Sequence, residues 1–187
     1  MKRYILWSLS VLLLAGCGAS TNYYLLGDVT KSQKFSSRTL PVIGVEKILL
    51  PDYLQQNKVV IQLSPTQLKF SEDDQWAEDM ENSLSKQLIV AIQKSFNHPD
   101  VYIYPWDLSK QAGMKIKVSI SKFIAYGDQV YLDANWEIVN LKTGQRSSKL
   151  FSTQVKTATD TASIVGSMNS AFTRLTTTIT REIAQKF

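Results

Sequence analysis

Thiols, imidazoles and paired carboxylates are the side chains most often recruited for covalent or acid–base chemistry. This 187-residue chain carries one cysteine, Cys17, and one histidine, His98. With no second cysteine, neither a disulfide framework nor a cysteine-based zinc site is available. Cys17 follows the small residues Ala15 and Gly16, so its chemistry is that of a lone thiol open to modification. His98 precedes Pro99 at the expected end of a helix. A base or a metal ligand needs partners, and the negative end of a helix dipole already accounts for a histidine there. Glu72, Asp73, Asp74, Glu78, Asp79 and Glu81 form an acidic cluster. Two of them could act as an acid–base pair or hold a hard cation. The alternative is that they are solvated carboxylates stabilised near a helix start. The serines form no Gly-x-Ser-x-Gly elbow, and neither a phosphate loop nor a dinucleotide fingerprint is present. The residues support no enzyme activity and call for no cofactor.

Cys17 is the position where chemistry is expected. Lys2 and Arg3 precede a 12-residue apolar stretch from Tyr4 to Ala15, and Leu14-Ala15-Gly16-Cys17 closes it. A basic start, a short apolar core and small residues before a processing point are the layout of a secretory signal peptide. The core is too short to span ~30 Å of hydrocarbon as a helix, which takes ~20 residues. The Leu-Ala-Gly-Cys end resembles the lipobox of bacterial lipoproteins. That resemblance implies cleavage after residue 16, a diacylated sulfur on Cys17 and a third acyl chain on its amine. The other reading is an ordinary signal peptide with an incidental cysteine. One myristoyl chain binds a membrane only reversibly, at ~0.8 kcal/mol per buried methylene, so three chains make a permanent anchor. Retention in the inner membrane of enteric-type bacteria typically needs Asp after the cysteine; Gly18 stands there. The outer membrane is therefore expected, with the domain in the periplasm. The organisation is a signal peptide over residues 1–16, a tether over 17–22 and one domain over 23–187. Cys17 and Tyr23 are at most ~20 Å apart along an extended chain.

The elements that position everything else come from patterning. The formal net charge of +5 includes Lys2 and Arg3 of the leader. What remains is too mild to argue for nucleic acid or for a polybasic membrane clamp. No later apolar run approaches 18 residues. Thr21–Leu26, Leu40–Ile48, Val59–Leu63 and Val101–Tyr104 are β-prone, Gln67–Phe70 continues extended after Pro65, and the polar stretch Gly27–Thr39 is a loop. Pro51–Leu54 makes a turn or one helical turn. Trp76, Met80, Leu84, Leu88 and Ile92 recur every four residues and predict a helix over Ser71–Asn97, capped by Ser71, Asp73 or Asp74. Met114, Ile116, Val118 and Ile120 alternate with polar residues, and the phase slips near Ser121, which predicts a bulge. Strands through Val130–Ile138 and Ser148–Val155 complete a meander. A helix over about Asp160–Lys186 carries Val165, Met168, Phe172, Leu175, Ile179 and Ile183 on one stripe. The expected class is α+β, a mostly antiparallel sheet with two long helices on one face.

Two places offer aromatic contact surface: Tyr102, Tyr104 and Trp106 around Pro105, and the corner Pro51-Asp52-Tyr53. Aromatics are enriched at interfaces, although packing explains both places as well. Tyr23-Tyr24-Leu25-Leu26 soon after the cysteine, Leu50-Pro51-Asp52-Tyr53-Leu54 followed by Val59-Val60, Trp76-Ala77-Glu78 and the Trp136 strand occur in one order. Together they resemble the ABC-type transport auxiliary lipoproteins, the family of paraquat-inducible protein C. The stretch Gly27–Thr39 aligns to nothing in that pattern. The resemblance implies no catalysis. It implies an outer-membrane partner of an inner-membrane multipass protein and of a periplasm-spanning MCE-domain protein, which move phospholipid or other apolar cargo between membranes. The lipoprotein would dock the far end of the MCE tube, with a homo-oligomeric ring of several copies as one arrangement. Two other classes remain at this point: an envelope-assembly lipoprotein binding a β-barrel or cell-wall machine, and a hydrolase using Asp73, Asp74 and Glu78.

Overall fold

The computed structural model describes residues 20–27, 33–35, 40–105 and 111–187. Its strands are β1 (Asn22–Tyr24), β2 (Ile43–Glu46), β3 (Lys58–Ser64), β4 (Gln67–Trp76), β5 (Val101–Tyr104), β6 (Met114–Tyr126), β7 (Gln129–Asn140) and β8 (Arg146–Lys156). Two helices accompany them, α1 (Met80–Phe96) and α2 (Thr161–Lys186). The long strand β6 organises the sheet. Antiparallel β7 occupies one of its edges from Met114 to Tyr126, so β2 and β3 must share the other. The sheet continues outward through β7 to β8 on one side and through β3 to β4 and β1 on the other. The longer pairings, β6–β7, β7–β8 and β3–β4, are antiparallel. The short contacts of β1 with β4 and of β2 with β5 and β6 are parallel.

Alternation decides which side each residue faces. Ile116, Val118, Ile120, Leu132, Trp136 and Ile138 are buried on the face that the helices cover. α1 packs against β2 and β5, α2 packs against β7 and β8, and the helices touch each other. The α2 stripe from Val165 through Phe172 to Ile183 is buried throughout. Its many hydroxyls do not disturb the helix, because Ser170, Thr173 and Thr178 donate to the carbonyl four residues back. Each helix starts at an aspartate: Asp79 accepts from the Asn82 amide at 2.9 Å and Asp160 from that of Ser163 at 2.8 Å. α1 ends at Asn97, which adopts φ 50°. The bulge lies where the phase slip predicted it, between Ile120 and Lys122.

The first helix differs from expectation. It begins at Met80, and Gln67–Trp76 is a strand. Glu72, Asp73 and Asp74 therefore belong to β4, and the capping role expected of Ser71, Asp73 or Asp74 falls to Asp79. Strand propensity disfavours aspartate, but tertiary pairing overrides it. Asn22 lies opposite Asp74, and its side-chain amide donates to the carboxylate at 3.0 Å. The spacing from Trp76 to Met80 matches a helix by coincidence: Trp76 is buried at a strand end, not on a helix turn. Pro65 is the second correction. The chain reverses there, so β4 returns antiparallel to β3 instead of extending it. Part of the unassigned stretch is packed as well, since Phe35 stacks on Phe96 with ring centroids 5.3 Å apart.

Candidate docking surfaces

The acidic cluster is dispersed. Asp73 and Asp74 are consecutive in a strand and point to opposite faces. The oxygens of Asp74 are taken by Asn22, by the Ser71 hydroxyl at 3.1 Å and by the Thr161 hydroxyl at 2.6 Å. The bonds from Thr161 and Asn22 hold its carboxyl below the ordinary range. Asp74 thus ties β1, β4 and the start of α2 together. Glu78 pairs with Lys86 at 3.3 Å. His98 follows the end of α1, and its Nε2 donates to the Pro41 carbonyl at 3.1 Å, joining two loops. Glu182 is the one carboxylate buried among the described residues. It receives the Ser147 hydroxyl at 2.6 Å, Lys149 at 2.5 Å and Lys186 at 2.9 Å. Burial alone would raise its pKa; the bonds from Lys149, Ser147 and Lys186 outweigh that and hold it at about 2. This cluster fastens the end of α2 to the edge strand β8.

The two aromatic places are structurally occupied and lie apart. Pro51 introduces a single 3-10 turn, Asp52–Leu54, in which Leu54 is buried and Asp52 accepts from Gln55 at 3.3 Å. Tyr53 is half-buried, and its hydroxyl accepts the Phe123 amide at 3.0 Å. The Ser121 bulge interrupts the ladder just before Phe123, and a side chain distant in sequence takes that amide. Burial pushes the Tyr53 hydroxyl pKa up. Tyr102 and Tyr104 lie near the other end of β6, on β5 opposite Gly44 and Glu46. The Tyr102 hydroxyl donates to Asp100 at 2.7 Å. Lys115 sits 5.3 Å from the Tyr104 ring centre and 2.9 Å from Glu46, whose carboxylate raises the lysine's pKa. Cys17 and Trp106 lie outside the described residues.

The face of the β6–β8 meander away from the helices is a surface that sequence patterning missed. Leu49, Ser119, Asn135 and Leu150 lie opposite one another across four chain segments. They line a trough with hollows of about 490 Å³ and 440 Å³. Its floor is short and polar, and its ends are leucines: Leu49 is 52% exposed and Leu150 is 89% exposed. A signal was present in β8, where Leu150 falls in the polar phase with Ser148 and Ser152 while Phe151 and Val155 hold the apolar one.

The profile of the family described as ABC-type transport auxiliary lipoprotein component matches residues 23–180. The chain belongs to that family. It is 26% identical over 141 residues to the intermembrane transport lipoprotein PqiC of Escherichia coli, covering 73% of each chain. The Shigella flexneri protein of the same name matches equally. Among solved structures, protein XCC0632 from Xanthomonas campestris superposes with a TM-score of 0.70 at 15% identity, over 88% of this chain and 95% of that one. An uncharacterized protein superposes at 0.69 with 22% identity, over 88% and 99%. At those identities the likeness is one of fold. The chain is thus an auxiliary lipoprotein component of an ABC-type transport system. No helix among the described residues is long and apolar enough to cross a membrane.

Proposed function

We propose that this chain is a non-catalytic docking lipoprotein, held in the outer membrane by acyl groups on Cys17, with its domain in the periplasm. It receives the far end of a periplasm-spanning MCE-domain protein, which an inner-membrane multipass protein anchors on the other side. The observation that carries this reading is the family match, which begins at residue 23, six residues after a lipobox cysteine. The similarity to a protein named for intermembrane transport supports the same role. Gly18, in place of an aspartate, supports the outer membrane. Asp74 is engaged in structural bonds, Glu78 pairs with Lys86 and Asp73 points to the opposite face from Asp74, which favours an adaptor over an enzyme. The partner-facing surface in this reading is the trough ending at Leu150.

Co-purification tests it. The lipidated protein should retain the MCE-domain protein encoded with it, and Leu150→Asp should release that protein while leaving the fold intact. Capture of barrel-assembly components in place of an MCE protein would replace this reading with the envelope-assembly one.

A further inference from the structure

The direction in which β1 joins the sheet bears on which end of the domain meets the bilayer. β1 runs parallel to β4 with Asn22 opposite Asp74. The chain therefore enters β1 at Thr21 from the side of the sheet end where β4 begins. The β3–β4 turn, the end of β6 at Tyr126 and the Gly127-Asp128 turn lie at that same end, because Gln62 pairs with both Leu68 and Tyr126.

Reach adds a constraint. Five residues separate Cys17 from Asn22, at most ~17 Å along a fully extended chain. Seven separate Asp74 from Gln67 at the hairpin tip, ~23 Å of strand. With the strands upright, the tip lies as far out as the tether can carry the lipidated cysteine, or beyond. A domain anchored at Cys17 in that orientation cannot hold its β3–β4 tip clear of the headgroups.

The composition of the tip suits that place. Val59 to Leu68 contains no charged residue in a chain that is 20% charged. Leu63 is 48% exposed, Leu68 39% and Tyr126 36%. Leu68 and Tyr126 flank Gln62 on one face, and Leu63 falls at the register irregularity between Gln62 and Ser64. Exposed apolar groups around a charge-free turn suit immersion, and a tyrosine with an apolar body and a polar tip suits the boundary layer.

We propose that the β3–β4 hairpin tip, with Tyr126 beside it, is a membrane-contact surface seated in the headgroup–acyl boundary of the leaflet that holds Cys17. This rests on the acyl-anchor reading above. The contact would fix the tilt of the domain on its membrane, which an acyl tether alone leaves free.

The test uses the full lipidated protein in vesicles of phosphatidylethanolamine and phosphatidylglycerol. S-acylation of Cys17 removes the chain's one thiol, so Thr66→Cys at the exposed turn places a single label at the tip. Gln145→Cys, in the turn after β7 at the opposite end of the sheet, is the control. Flotation reports the anchor. An environment-sensitive fluorophore at residue 66 should shift to the blue and be quenched several-fold more by shallow nitroxide lipids than one at residue 145. Leu63→Asp with Leu68→Asp, both exposed positions, should abolish the difference without unfolding. Protein that floats with both labels equally unquenched overturns this inference and leaves the anchor standing. A label at residue 66 that is shielded from aqueous quencher but untouched by nitroxide lipid would show a protein partner there and also overturn it. Protein that fails to float overturns the anchor reading and this inference with it.

Discussion

Glu182 and Tyr53 show how single side chains repair places where the backbone plan leaves a polar group buried. Glu182 is 4% exposed at its side chain, and its three donors keep it charged. Its pKa of about 2 lies below the ordinary 4.5, so the folded state binds this proton less readily than the unfolded chain does. The stability it contributes is complete above about pH 4.5 and is lost as pH falls toward 2. Glu182→Gln should flatten the acid limb of a stability–pH profile measured by denaturant unfolding over that window. A profile unchanged in slope would mean that the carboxylate is not strongly paired. Tyr53→Phe removes the acceptor of a buried amide and should cost about 1–3 kcal/mol by the same measurement. An unchanged midpoint would make the corner a loop that the bulge does not need.

At the scale of elements, the boundary between β4 and α1 is the instructive one. A run rich in acids followed by apolar residues at four-residue spacing satisfies the rules for a helix start at Ser71. The same run satisfies sheet pairing up to Trp76, and pairing wins because β3 and β1 occupy both edges of β4. The two assignments place the N-cap at different aspartates. Asp79→Ala should cost about 1 kcal/mol of thermal or denaturant stability through the lost bond to Asn82. Asp73→Ala, on an exposed strand position, should stay within about 0.5 kcal/mol. Reversed magnitudes would restore the helix start at Ser71. α2 behaved differently, since its capping aspartate, its stripe and its length all agree with one another and were legible directly.

For the molecule as a whole, the proposed function turns on attachment. Among the described residues, one sheet face is closed by two helices and the other is open along the β6–β8 meander. Cys17→Ser should abolish incorporation of a palmitate analogue and leave the chain unprocessed or misplaced, read by labelling and membrane fractionation. Label that persists would place the acyl chains elsewhere and remove the basis for an anchored docking component.

The linear chain by itself determined the α+β class, the meander with its bulge, the last helix and the family, because these depend on local order: period-two alternation, a stripe at helical spacing or short segments in a fixed sequence. Tertiary structure alone decided that Asp74 is a structural knot, that the Tyr53 hydroxyl serves a bulge, that Leu150 closes a trough, and that β1 starts on the side of the sheet end that holds the hairpin tip. Each of those depends on which distant strand lies opposite a residue. Pairing register is set by packing summed over the whole sheet, and no window of neighbouring residues contains it.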